Sequence, residues 1–96
     1  MGKTVIVVGA GLAGMMAAFA AQQEGAEVVL ITRGTVGIGT NTILSNGVFS
    51  GPTPSYSEEA YVEDTLNIGR LLNHKPLLEM IARGASSAFD LLRSLG

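Results

Sequence analysis

The sequence predicts an α/β fold from three observations: two β-branched runs of strand length, an alanine-rich stretch between them, and glycines where the first run ends. Residues 5–8 (Val-Ile-Val-Val) have the composition of a strand buried on both faces. Residues 12–23 are mostly helix formers, and Gly25 follows as a natural stop. Residues 27–32 are a second apolar run. Residues 1–32 are therefore predicted to form a βαβ unit, which is nearly always parallel and right-handed.

A long loop is predicted after this unit, over residues 33–57. The segment is rich in Gly, Ser, Thr and Asn and has only short apolar patches. A loop of this length in a compact chain is usually functional. Ser55 lies three residues before Glu58, the spacing of a capping box, which predicts the start of a helix there.

Residues 58–95 are predicted to be helical in several pieces. Pro76 suits the first turn of a helix, and Gly84 is expected to interrupt that helix. Ser86 or Ser87 then caps a last helix. The acidic residues near position 58 fit a helix N-terminus, which explains them better than a metal site does.

Composition limits the classes of protein to which the chain can belong. It has 96 residues, 47% of them hydrophobic and 15% charged, enough for one small core. The net charge of -2 offers no basic face for a nucleic acid, so no nucleic-acid partner is expected. Because there is no cysteine, thiolate metal sites and thiol nucleophiles are excluded.

The predicted sheet is too small to cover itself. Parallel sheets are packed on both faces, and two strands with few helices cannot provide that packing. We therefore expect an incomplete domain over residues 1–96, the N-terminal part of a longer protein. The alternative is an oligomer that supplies the missing surface.

The glycine loop, residues 9–14, carries the spacing G-x-G-x-x-G between the first strand and the helix. This context predicts a Rossmann-like dinucleotide-binding loop, whose glycines allow a tight turn, close approach of a pyrophosphate, and close packing of helix on strand. The free amides at the helix N-terminus and the helix dipole favour an anion there. The predicted cofactor-binding residues of this loop are Gly9, Ala10, Gly11, Leu12, Ala13 and Gly14.

The end of the second strand departs from the usual dinucleotide pattern. Thr32 and Arg33 stand where an acidic residue commonly binds the adenosine ribose. Arg33 can accommodate the 2′-phosphate of NADP, so an NADP-binding module is one alternative; a solvent-facing Arg33 is another. Residues 4–23 carry no charge, which also leaves open a signal peptide or membrane span, although the three glycines and the second strand argue against it.

A family resemblance adds to these motifs. Five segments resemble the start of the succinate dehydrogenase, fumarate reductase and L-aspartate oxidase flavoproteins: residues 5–15, 30–34, 40–47, 61–69 and 91–96. That family also has Ser or Thr followed by Lys or Arg at the end of the second strand. The resemblance implies FAD as cofactor and hydride transfer to or from a small dicarboxylate or amino acid.

The resemblance also implies further site residues. It places Thr32, Arg33 and Gly34 near the adenosine, and it makes residues 33–57 a flavin loop. The flavin-lining residues implied are Thr40, Asn41, Thr42, Asn46 and Gly47. Asn41 occupies the position at which many relatives carry a histidine bonded to the flavin, so non-covalent FAD is implied; a purely local role for this loop asparagine stays open.

No catalytic residue and no metal ligand is assigned, because the family's substrate-binding groups lie further along its chains. We expect the 96-residue chain to be inactive alone. The resemblance implies a cytoplasmic flavoprotein, with an iron–sulfur subunit as a candidate partner and membrane association only through such a partner.

Overall fold

The computed structural model describes residues 2–96 and shows an α/β chain that divides into two compact units. The first unit ends at Val48, and the second runs from Phe49 to Gly96.

The first unit contains the predicted strand, helix and strand. β1 (Thr4–Val8) and β2 (Glu27–Ile31) pair in parallel, with Thr4 opposite Glu27 and Val8 opposite Ile31, and α1 (Leu12–Gln23) connects them. Gly25 has φ +81° and donates its amide to Gln22, and the Ala26 amide bonds to Ala21, so α1 ends in a Schellman motif. The predicted glycine stop is confirmed.

One face of this sheet is exposed, although the composition of both strands is typical of burial on both faces; the sequence also predicts a sheet that is too small to cover itself. Side chains alternate across the strands, and the half-buried set lies on the face that α1 packs against. On the other face Ile6 and Val8 are 62% and 79% exposed, and Val29 and Ile31 are 44% and 47% exposed. Within residues 2–96 the second face stays uncovered because α1 is the one helix that contacts these strands there.

The second unit contains two helices, α2 (Glu58–Ile68) and α3 (Lys75–Ser94), packed on each other. α2 is capped by Ser57, whose hydroxyl accepts the Ala60 amide at 3.1 Å. The capping box predicted at Ser55 is wrong. Thr53 and Tyr56 exchange two backbone hydrogen bonds, which place Ser55 inside a tight turn before the helix.

α3 is continuous over 20 residues, so the predicted interruption at Gly84 and the predicted cap at Ser86 or Ser87 are wrong. Its buried residues are Leu78, Ala82 and Ala85, which lie on both sides of Gly84. Packing along one helix face outweighs the roughly 1 kcal/mol by which glycine disfavours a helix.

Candidate functional site

The glycine loop makes a tight connection between β1 and α1. Gly9 has φ +112°, and its amide bonds to the Ile31 carbonyl at 2.8 Å, which extends the strand pairing by one residue. A Cβ on Gly14 would lie 1.8 Å from the carbonyl oxygen of Gly9. Gly9 therefore turns the chain, and Gly14 lets α1 approach the strand end more closely than any other residue would allow.

Gly11 faces protein atoms rather than open space. A Cβ there would lie 3.3 Å from Thr42 Oγ1 and 3.6 Å from Thr40 Cβ. The Leu12 amide, predicted to face a phosphate, donates to Thr42 Oγ1 at 2.9 Å. The segment around Thr42 thus returns to the start of α1, a contact between residues 30 positions apart that no local pattern in the sequence indicates.

The N-terminus of α1 still presents free donors. Within residues 2–96, no acceptor is recorded for the amides of Gly11, Ala13 and Gly14. Gly11 as N-cap has no side chain to satisfy them, and the first turn has no acidic residue. Unpaired amides at the positive end of a helix dipole favour an anion.

A cleft of about 570 Å³ opens beyond the carboxyl ends of β1 and β2. Its volume lies in the range of small-molecule sites, and its position is where open α/β sheets usually bind ligands. Arg33 is the charged residue of its lining. The lining consists of Val8, Gly9, Ala10, Ile31, Thr32, Arg33, Gly34, Thr35, Ile38, Gly39 and Thr40.

A hydrogen bond between a side chain and the backbone forms a short turn after β2, in the segment that carries Arg33. Thr32 Oγ1 accepts the Gly34 amide at 3.5 Å. Arg33 is exposed and forms no salt bridge in the part of the chain that the structure describes. Its guanidinium is therefore available to an anionic ligand at the mouth of the cleft.

Two glycines to which sequence reasoning gave no site role shape the cleft. Gly37 has φ +81° and donates its amide to the carbonyl of the buried Ala10 at 3.1 Å, and Gly39 has φ +72°. Thr40 Oγ1 donates to the Gly37 carbonyl at 2.9 Å. The sequence did carry a signal for this role: Gly37 and Gly39 lie two positions apart inside a loop, and such a pair favours consecutive turns.

Of the five predicted flavin-lining residues, Thr40 lines the cleft, and Thr42 instead accepts the Leu12 amide. The other three have local structural roles. Asn41 is exposed, and its carbonyl accepts the Leu44 amide at 3.1 Å, which starts a 3₁₀ helix over Ile43–Ser45. Asn46 and Gly47, with φ +54° and +75°, form the turn that ends this helix. Their predicted contacts with a cofactor stay predictions.

The second unit has a separate cleft of about 470 Å³, lined mainly by residues of α2 and α3. The single histidine, His74, is exposed and caps α3 by accepting the Leu77 amide at Nδ1. Across residues 2–96 no group of three His, Cys, Asp or Glu is placed to hold a metal ion. None of the helices described there combines the length and the hydropathy that a membrane span requires.

These features define an α/β chain with an anion-binding helix N-terminus beside a cleft, and comparison with known proteins gives its family. The sequence profile of the FAD binding domain matches residues 4–96. The chain therefore belongs to the FAD-binding domain family of the succinate dehydrogenase and fumarate reductase flavoproteins, and its cofactor is FAD. The NADP-module and membrane-segment alternatives are not favoured.

Several curated relatives are similar over 96% of this chain. A probable fumarate reductase, Ifc3, of Shewanella frigidimarina is 31% identical, and the match covers 17% of its length. The acrylate reductase flavoprotein subunit of Shewanella woodyi is 31% identical with 20% of its length covered, and an NADH:fumarate oxidoreductase of Klebsiella pneumoniae is 31% identical with 11% covered. The chain thus spans a fifth or less of these relatives. No solved structure matches it significantly.

Proposed function

We propose that this chain forms the FAD-binding part of a reductase that acts on a short unsaturated carboxylate and holds its FAD without a covalent bond. The single observation that carries the proposal is the coincidence of the family profile with unpaired amides at the N-terminus of α1, beside a cleft at the ends of the parallel strands.

The residues present fit the cofactor. The Gly11, Ala13 and Gly14 amides would hold the pyrophosphate in a Rossmann-like arrangement, because these donors lack protein acceptors and Gly11, as N-cap, has no side chain of its own to satisfy them. Arg33 would bind on the adenosine side, where it is the charged residue of the cleft lining. We assign this role to residues 1–96, with residues 33–57 as the flavin loop.

The flavin supplies hydride transfer through its N5 when it is bound. The chain's own contribution is to bind and orient it. Asn41 stands at the position where the covalent members of the resembling family carry histidine, and an amide nitrogen is not nucleophilic enough to form that bond. Non-covalent binding follows.

The substrate class is supported by the relatives' names, which include fumarate reductases and an acrylate reductase. Fumarate and acrylate share a carbon–carbon double bond conjugated to a carboxylate. Among residues 2–96 we assign no group to bind or protonate such a substrate. We place those groups in further polypeptide of a longer chain, which would also cover the apolar face of Ile6, Val8, Val29 and Ile31.

The test is a comparison of FAD and NADP as stabilising ligands of the purified protein. We expect FAD to raise the melting temperature and NADP to leave it unchanged, because a ligand stabilises only the state that binds it. Acid precipitation of the FAD-loaded protein should leave the flavin in the supernatant. Stabilisation by NADP alone, or flavin retained in the pellet, would contradict the proposal.

A further inference from the structure

The start of α1 receives its capping group from a distant loop. Gly11, the N-cap residue, has no side chain, and no residue of the first turn is acidic. The hydroxyl of Thr42 takes this place by accepting the Leu12 amide at 2.9 Å. Capping hydroxyls usually belong to the N-cap residue itself, so a cap supplied from the flavin loop links two segments of the site.

The link between the two loops is reinforced by the backbone. Gly37 donates to the Ala10 carbonyl at 3.1 Å, and Thr40 Oγ1 donates back to the Gly37 carbonyl. Gly11 is close enough to Thr42 that a Cβ would lie 3.3 Å from its hydroxyl oxygen. The glycine loop and residues 37–42 are therefore held together at several points.

A threonine hydroxyl both accepts and donates. Thr42 Oγ1 accepts from Leu12, and no acceptor for its own proton is recorded within residues 2–96. The neighbouring amides of Ala13 and Gly14 are also unpaired. With the Gly11 amide, one hydroxyl proton and three amides thus remain as donors at the positive end of the α1 dipole.

We propose that Thr42 is a positioning residue. Its hydroxyl oxygen caps α1, and its hydroxyl group donates a hydrogen bond to the anionic phosphates of FAD. It thereby couples the flavin loop to the pyrophosphate site. This inference rests on the proposed binding of FAD at α1 and assigns Thr42 to the phosphates rather than to the flavin ring.

Three variants of the purified protein test the inference. Thr42→Val keeps the shape and removes the hydroxyl, Thr42→Ser keeps the hydroxyl, and Ser57→Ala removes a cap of the same kind from α2. We expect Thr42→Val to raise the FAD dissociation constant about tenfold, since it loses a hydrogen bond to a charged group. Thr42→Ser and Ser57→Ala should bind FAD as the parent does.

Amide hydrogen exchange of the FAD-free protein gives a second readout. The Leu12 amide should exchange about fivefold faster in Thr42→Val and at the parental rate in Thr42→Ser, because only the first loses its acceptor. If the parent binds FAD but Thr42→Val binds it equally well, or if Thr42→Ser is as weak as Thr42→Val, the inference is wrong and the proposed function stands. A parent protein that binds no FAD overturns the proposed function itself.

Discussion

At the scale of single residues, Gly14 is the position with the least freedom to change. Its missing Cβ leaves room for the Gly9 carbonyl, which is a backbone group and cannot rotate away. We expect Gly14→Ala to lower the free energy of unfolding by about 3 kcal/mol or more, because the clash forces α1 off the strand end. Urea denaturation of the FAD-free protein measures this loss.

Gly34→Ala is the matched control for this prediction. A Cβ at Gly34 meets nothing within 4 Å, and its backbone φ is not positive, so its stability should change by less than about 0.5 kcal/mol. Equal effects at the two glycines would show that close packing at Gly14 does not limit the fold.

Tyr56 provides a pH-dependent contact. Its hydroxyl donates to the Asp64 carboxylate, and this hydrogen bond is the main reason that the pKa of Tyr56 is raised above its usual value of 10.0. A raised pKa in the folded state means that the stabilisation is fully present below the unfolded pKa and is lost as the pH rises through the folded pKa. We therefore expect the stability difference between the parent and Tyr56→Phe to be constant from neutral pH up to about pH 10 and to shrink above it.

A double-mutant cycle with Asp64→Ala isolates this contact. The coupling energy between Tyr56 and Asp64, measured by urea denaturation at several pH values, should fall in the alkaline range. A coupling energy that does not change there would exclude the hydrogen bond as its source.

At the scale of elements, α3 shows what local propensity misses. Gly84 lies inside the helix, is exposed, and has nothing within 4 Å of the place where a Cβ would be. We expect Gly84→Ala to stabilise the protein by about 0.5–1 kcal/mol, because alanine loses less backbone entropy on folding. The urea midpoint should rise, and Ser87→Ala on the same helix should give a smaller gain. A loss of stability in Gly84→Ala would indicate a break in the helix at this residue.

The elements that sequence reasoning predicted well are those set by local physics. β1, α1 and β2 follow from apolar runs and from a glycine stop, and these signals lie within the elements themselves. The continuity of α3 depends on burial of Leu78, Ala82 and Ala85, which propensity does not report. Ser57 rather than Ser55 caps α2 because backbone hydrogen bonds close a turn that contains Ser55.

The candidate site also combines features that local sequence patterns indicate with contacts that only the folded chain creates. Gly9 and Gly14 were predictable because their spacing between a strand and a helix has a mechanical meaning. The bond from Leu12 to Thr42 joins residues 30 positions apart, and the role of Gly37 depends on where Ala10 lies. Contacts of this kind require the folded backbone, and neither hydropathy nor spacing indicates them.

At the scale of the whole molecule, the exposed sheet face has a consequence for the intact protein. Val8 is 79% exposed and stands opposite Ile31 on an apolar strip, and parallel sheets are normally packed on both faces. If further polypeptide packs there, Val8→Thr buries a hydroxyl without a partner and should cost about 1–3 kcal/mol of unfolding free energy. Val36→Thr, in a loop and 51% exposed, should cost less than about 0.5 kcal/mol.

Denaturation of the intact protein at several concentrations identifies what covers this face. If the covering segment belongs to the same chain, the urea midpoint and the cost of Val8→Thr should not depend on protein concentration. If a second copy covers it, both should rise with concentration, because association stabilises the folded state by mass action. Equal and small effects of Val8→Thr and Val36→Thr at every concentration would mean that the strip faces water, and the proposed packing of further polypeptide on this sheet would be wrong.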